Sequence, residues 1–473
     1  MKSKIIYNYV GKVLIGLALL FTFPAICALI YKESLVPFII PQIMSLLIGV
    51  ILNFIPYSKT ESIFAKDGLK IVALSWIIVS IIGALPMYIN KDISYVDSLF
   101  ETVSGFTTTG ATILKDVEHL NKSILFWRSF THFIGGMGVL AFVMAIIPLS
   151  SKSKSMHVLK AEMPGPNVGK LVPSIKKTLG ILYGIYIGLT FIEFLLLIIG
   201  RMPVFDSLLL SFGTAGTGGF SVLNSSVASY STFCKYVIAI FMLLFGVNFN
   251  VYFLILMKDV KNALKSEELR VYIFIFITSI IIIFSQTLSV LKDVGLTFTE
   301  AFFHISSFIT STGYSIGDVN IYPTTSRVLI LIVMIVSACA GSTCGGMKIQ
   351  RVIISLKSIK RDLTKMIHPN SVQTVKFEGK KVSEETIKNT NTFIFLYLIL
   401  IILICFIISF DRYSIETTIN AVFTTFANVG LCFNISNFAD FSVLSKLVLS
   451  FGMLCGRLEI FPLIALGVNG NKE

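Results

Sequence analysis

The sequence predicts an all-α integral membrane protein built from two N-terminal helices and a fourfold internal repeat. Three observations lead there. Of the 473 residues, 55% are apolar or aromatic and only 14% are charged, against about 25% charged in soluble domains. Ten apolar runs approach or exceed the ~20 residues needed to cross a ~30 Å hydrocarbon core. Four half-length segments recur between these runs at one fixed offset. Soluble domains could not hide so much apolar surface, and a disordered chain would carry far less of it. Cys27, Cys234, Cys339, Cys344, Cys405, Cys432 and Cys455 are odd in number and scattered through apolar stretches, so they read as buried thiols and not as a disulfide scaffold.

The runs lie at about 13–31, 36–56, 69–90, 124–149, 178–200, 233–257, 271–290, 326–347, 391–410 and 444–467. The first is long for a signal-peptide core, contains Pro24 and is followed at once by a second run, so it reads as a helix. With the N-terminus inside, the inner segments are 1–12, 57–70, 150–177, 258–270, 348–388 and the tail from 469. They carry 27 Lys/Arg and 11 Asp/Glu, whereas the outer segments, taken with the outer ends of the runs (Arg128, Lys235, Arg327, Lys446), carry 11 and 13. The basic excess therefore collects on one side, which places both termini in the cytoplasm. It explains the net charge of +13 without nucleic acid. The tally leaves Arg457, Glu193 and Glu459 inside spans.

After the third, fifth, seventh and ninth runs comes a stretch too short to cross. The four read Asp97-SLFETVSGFTTTGAT, Asp206-SLLLSFGTAGTGGFS, Glu300-AFFHISSFITSTGYS and Thr417-TINAVFTTFANVGLC. In each, the lead residue sits 13 positions before a glycine: 97 to 110, 206 to 219, 300 to 313 and 417 to 430. The lead residues suit helix caps. A helix that enters and cannot cross must return as irregular backbone, which is tolerated at membrane depth only where it is packed in protein or lines a cavity. The returning residues are Thr108, Thr109, Gly110; Thr217, Gly218, Gly219; Ser311, Thr312, Gly313; and Asn428, Val429, Gly430. Four such strands around an axis would present rings of carbonyl oxygens in place of a cation's water shell. The short helices would point their negative C-terminal ends at that cation. The bland alternative is four outer turns rich in Gly and Thr; the recurrence at one offset argues against it.

The chain resembles the Trk/Ktr/HKT superfamily of potassium transporters, and within it the bacterial TrkH branch. The likeness rests on SGFTTTGAT (104–112), WRSFTHFIGGMGVL (127–140), KAEMPGP (160–166), GTGGFS (216–221), STGYS (311–315), CAGSTCGGMK (339–348) and GRLEIFPL (456–463). The resemblance implies a two-helix unit at 1–65 and four M1-P-M2 repeats forming a pseudo-fourfold pore, at 66–155, 156–260, 261–375 and 376–473. It implies K⁺ bound and carried at the twelve returning residues, with no cofactor in the chain. It also implies the lipid membrane of a bacterial cell, a homodimer and a cytosolic TrkA-like subunit that binds the regulatory nucleotide.

The eighth run holds Gly341, Ser342, Thr343, Cys344, Gly345 and Gly346, a set that will not keep a straight helix. Small-residue helix packing is the bland reading. The resemblance makes the stretch an intramembrane gate below the filter, and makes Arg457 a pore-facing charge that hinders resting cations. Lys348 and Arg351 would then tie the gate to the inner face, where the basic loops 150–177 and 348–388 meet the partner. Ser342 and Thr343 would satisfy freed backbone groups.

Enzyme signatures fail. The segment 164–170 lacks the first Gly and the final Ser/Thr of a phosphate loop, the five histidines form no HExxH, and Cys339 and Cys344 have no second pair for zinc. Glu193 reads as a structural group, and His304 as a packed one with its polar atoms satisfied, not a catalytic one. A secondary cation symporter with broken helices is the alternative function, but it predicts two inverted halves, whereas these four units share one orientation.

Overall fold

A computed structural model of the protein describes residues 3–55, 65–138, 175–371 and 373–467. Residues 139–149 of the fourth run, 150–174 of the 150–177 loop and with them the KAEMPGP segment lie outside the described residues. Among the described residues six helices are long and apolar enough to cross a membrane: Lys4–Tyr31, Val36–Asn53, Lys66–Ile89, Gly180–Ile199, Glu267–Leu291 and Glu384–Asp411. The first two are the N-terminal pair, and the other four each open a repeat.

The second span of each repeat differs from expectation. The runs at 233–257 and 444–467 are not straight helices. Thr232–Gly246 turns by 91° into Phe249–Leu256, and Val443–Leu458 turns by 116° into Phe461–Gly467. In the third repeat, Thr324–Val336 stops and the next helix begins only at Ile349, as the glycines at 341, 345 and 346 predict. In the first, Lys122–Gly136 ends at Met137. Each of these helices thus runs for 13 to 16 residues before it ends. Hydropathy does not register the breaks, because the residues on either side are apolar.

Between the spans lie four short helices, Tyr95–Phe106, Val204–Gly216, Val294–Ile309 and Ile415–Phe426. At 1.5 Å per residue even the longest covers only about 24 Å. Their caps correct the expectation. Ser94 and Ser414 accept from the backbone N–H of Asp97 and Thr417, so those lead residues lie three positions inside the helix, as in a capping box. Pro203 precedes the second helix, whose Asp206 lies in the first turn. The third starts earlier, capped by Asp293, which leaves Glu300 in mid-helix.

The buried apolar clusters follow the contacts between units. One joins the N-terminal pair (Phe21, Phe38) to the first repeat (Trp76, Trp127) and the fourth (Phe426, Met453). Another joins the second repeat to Phe303 and Tyr314 of the third. A third joins Ile305 and Phe308 to Ala427 and Val429 of the fourth. A small antiparallel pair, Lys376–Phe377 with Lys380–Lys381, follows helix Ile349–Ile367.

Candidate functional site

Each short helix ends in the same way. Thr108, Thr217, Ser311 and Asn428 adopt left-handed backbone, with φ of 55°, 56°, 51° and 56°. The N–H of the next residue bonds five residues back: Thr109 to Ser104 O at 2.8 Å, Gly218 to Gly213 O at 2.8 Å, Thr312 to Ser307 O at 2.9 Å and Val429 to Thr424 O at 2.8 Å. This is the Schellman ending, usually made with glycine at the left-handed position. Here polar L-residues occupy it, at a cost of roughly 1–2 kcal/mol each. Two residues on, Gly110, Gly219, Gly313 and Gly430 return to positive φ, at 76° to 83°.

The four strands close on one another. A Cβ added to Gly110 would lie 1.9 Å from the carbonyl oxygen of Gly218, and one on Gly219 would lie 2.1 Å from that of Thr312. One on Gly313 would lie 1.9 Å from that of Val429, and one on Gly430 would lie 2.2 Å from that of Thr109. The contacts run from the first repeat to the second, third and fourth and back to the first. Each glycine packs against the carbonyl just before the next glycine. Asn428 Nδ2 adds a bond to Thr109 Oγ1 at 2.9 Å across the closing seam.

Side chains behind the ring brace it, and the sequence reading missed most of them. Glu101 Oε2 accepts from Ile113 N at 2.9 Å, and His304 Nε2 accepts from Ile316 N at 3.3 Å. The acceptors lie four residues after Asp97 and Glu300 and the donors three after Gly110 and Gly313, so the two sites match, and the polar satisfaction of His304 is a hold on backbone. Leu210 and Ala421 stand at the same sites in the other two repeats. Arg128 donates to Glu101 at 2.7 Å, with both side chains buried, and stacks 4.1 Å over Phe220 of the second repeat. Arg128, within the fourth run, is thus a buried arginine that Arg457 does not match in burial. His132 bonds to Gly105 O at 2.8 Å, accepts from Phe220 N at 3.2 Å, and fills the space where a Gly218 Cβ would go. Tyr314 donates to Leu210 O at 3.2 Å.

The Gly341–Gly346 stretch packs against this assembly. Gly345 N donates to Ser311 Oγ at 2.8 Å, and a Cβ there would lie 2.6 Å from Asn428 Cβ. Ser342 Oγ donates to Cys339 O at 2.6 Å and Thr343 Oγ1 to Phe245 O at 3.4 Å, so both hydroxyls serve freed carbonyls. Arg457 Nη1 donates to Thr343 O at 2.5 Å, while Nη2 donates to Gly135 O and Gly136 O at 2.6 and 2.7 Å. The guanidinium thus joins the stretch to the end of Lys122–Gly136. Lys348 and Arg351 are buried, not offered to a partner. Lys348 donates to Cys344 O. Arg351 pairs with Glu459 and stacks 4.2 Å over Phe393. Glu193 is buried in helix Ile175–Ile199, apart from these bonds.

Comparison with known proteins places this arrangement. The TrkH family model, described as a cation transport protein, matches residues 38–469. The Trk system potassium uptake protein TrkG of Escherichia coli (strain K12) is 31% identical over 94% of this chain and 93% of its own length. The Trk system potassium uptake protein TrkH of Salmonella typhimurium is 31% identical over 98% of both. The crystal structure of the potassium transporter TrkH from Vibrio parahaemolyticus superposes with a TM-score of 0.89, at 29% identity and 99% coverage of each chain. The chain is therefore a transporter and not an enzyme, a multi-span membrane protein belonging to the TrkH family of cation transport proteins.

Proposed function

We propose that this protein takes up K⁺ through a channel-like pore whose filter is the ring of carbonyls around Gly110, Gly219, Gly313 and Gly430. The observation that carries the reading is the cyclic closure of the four strands. Each glycine permits the next strand's carbonyl to approach, so backbone oxygens of Thr109, Gly218, Thr312 and Val429 lie in one layer. The left-handed residues before them, Thr108, Thr217, Ser311 and Asn428, make the inner end of the filter. The Gly341–Gly346 stretch, bonded to Ser311 and packed on Asn428, is the gate. The names of the relatives point to the same ion.

The repeats divide at 66–155, 156–260, 261–375 and 376–473, after a unit at 1–65. Both termini face the cytoplasm of a bacterial cell, and the protein works as a dimer with a cytosolic nucleotide-binding subunit. With Lys348 and Arg351 buried, that subunit meets residues beyond them, where Lys360 and Lys365 lie on helix Ile349–Ile367.

Tracer flux into proteoliposomes tests the reading. K⁺ and Rb⁺ pass with little discrimination and Na⁺ less well, down their own gradients. Uptake that requires an imposed proton or Na⁺ gradient would instead establish the symporter.

A further inference from the structure

We infer that Glu268 is a positioning residue for the gate, a latch that holds the entrance of the 341–346 stretch closed; this rests on the gate assignment above. Glu268 opens helix Glu267–Leu291 and has 3% of its surface exposed. Its Oε1 accepts the backbone N–H of Ala340 at 2.6 Å, and its Oε2 accepts Asn248 Nδ2 at 3.3 Å. Asn248 lies in the 91° break of the second repeat. There the backbone clasps the same entrance from the other side. Cys339 N donates to Gly246 O at 3.2 Å, and Phe249 N donates to Gly341 O at 3.1 Å. One carboxylate thus joins three elements: the start of the third repeat's first span, the bend of the second repeat, and the residue before Gly341.

The chemistry suits a latch. A peptide N–H freed from a broken helix inside a membrane must find an acceptor. A buried carboxylate is the strongest acceptor a side chain offers, and its bonds are shorter and stronger than neutral ones. The rest of the stretch is held by Arg457 at Thr343 and by Ser311 at Gly345. At the hinge at Gly341, whose φ of 70° marks where the chain turns, the Glu268 bond to Ala340 N acts beside the backbone bond from Phe249 N to Gly341 O. Losing it frees the entrance while leaving the carbonyl ring untouched.

The test uses the full chain in proteoliposomes without a partner, at matched amounts of folded protein. Two readouts are taken: Rb⁺ flux, and modification of Cys344 by a small cationic methanethiosulfonate after the other six cysteines are replaced by alanine. Cys344 is 1% exposed in the closed arrangement. Glu268→Leu removes the acceptor and raises both flux and Cys344 modification roughly tenfold, the factor set by one hydrogen bond to a charged group. Glu268→Gln keeps an oxygen for Ala340 N–H and stays within about threefold of the parent, since a neutral bond remains. Asn248→Asp keeps the cap that Asn248 makes on Asn250 N, but sets a negative charge beside Glu268; it raises both readouts even if Glu268→Leu does not fold. Deletion of 341–346 serves as the reference. If deletion raises flux while Glu268→Leu and Asn248→Asp leave both readouts at the parental level, the latch is overturned and the gate stands. If deletion itself raises nothing, the gate assignment fails and the latch with it.

Discussion

Gly110 shows how one missing carbon fixes the site. Its Cβ would lie 1.9 Å from the Gly218 carbonyl oxygen, far inside any allowed contact. Gly110→Ala should therefore open the first seam and lower the K⁺/Na⁺ permeability ratio, with Rb⁺ and Na⁺ flux as the check. Alanine at 219, 313 or 430 should do the same, because each glycine makes the same contact with its neighbour. A loss confined to one of the four would deny the ring. The fourth strand, with Asn428 and Val429 where the others carry hydroxyls or glycine, departs less than its side chains suggest. Val429 contributes its carbonyl, and Asn428 takes the same left-handed turn as the others. Arg457 offers a sharper contrast. If its charge alone closed the gate, Arg457→Lys would behave as the parent. The bonds to Thr343, Gly135 and Gly136 use two guanidinium nitrogens, a fork that lysine lacks. Arg457→Ala should raise partner-free flux roughly tenfold, the scale of losing charge-assisted hydrogen bonds. Arg457→Lys should fall between that variant and the parent.

At the scale of elements, the second helix breaks in the second, third and fourth repeats and ends at Gly136 in the first, and these ends have work to do. The end of Lys122–Gly136 offers carbonyls to Arg457, the Gly246–Phe249 break clasps the Cys339–Gly341 segment, and the Leu458 end leads to Glu459, which pairs with Arg351. Deleting 341–346 should raise K⁺ flux and leave ion preference nearly unchanged, since the carbonyl ring is built by other segments. Equal flux before and after deletion would make the stretch a packing motif. Behind the ring, the Glu101–Arg128 pair couples the first short helix to the second repeat. Removing one member of a buried pair strands the other, typically at ~3–5 kcal/mol. Arg128→Met should lower the thermal unfolding midpoint in detergent by several degrees. Adding Glu101→Gln should recover part of the loss, because the stranded charge goes too.

Over the whole molecule, the apolar clusters run from unit to unit and back to the N-terminal pair. The ring is thus held from outside by shared cores and from inside by its own seams. In the reading proposed above, regulation by nucleotide reaches the ring through a second chain. Isothermal titration of the purified protein with ATP or NAD should give no saturable heat; saturable binding would move the nucleotide site into this chain.

What the sequence determined by itself was whatever repeats or repels water. Composition set the membrane, the 13-residue offset set four short helices and four glycines, and three glycines within six residues set the break in the eighth run. Arg457 stood out because a charge in lipid is costly. The tertiary structure alone decided partners. Whether Arg457 repels or binds, whether Lys348 and Arg351 face solvent, and which carboxylate holds Ala340 depend on segments far apart in sequence, brought together only when the four strands close. The bends at Gly246 and Leu458 were hidden for a related reason. Apolar residues continue through both, and the groups freed around Gly246 are satisfied by Cys339 and Gly341 of the third repeat, which no local pattern records.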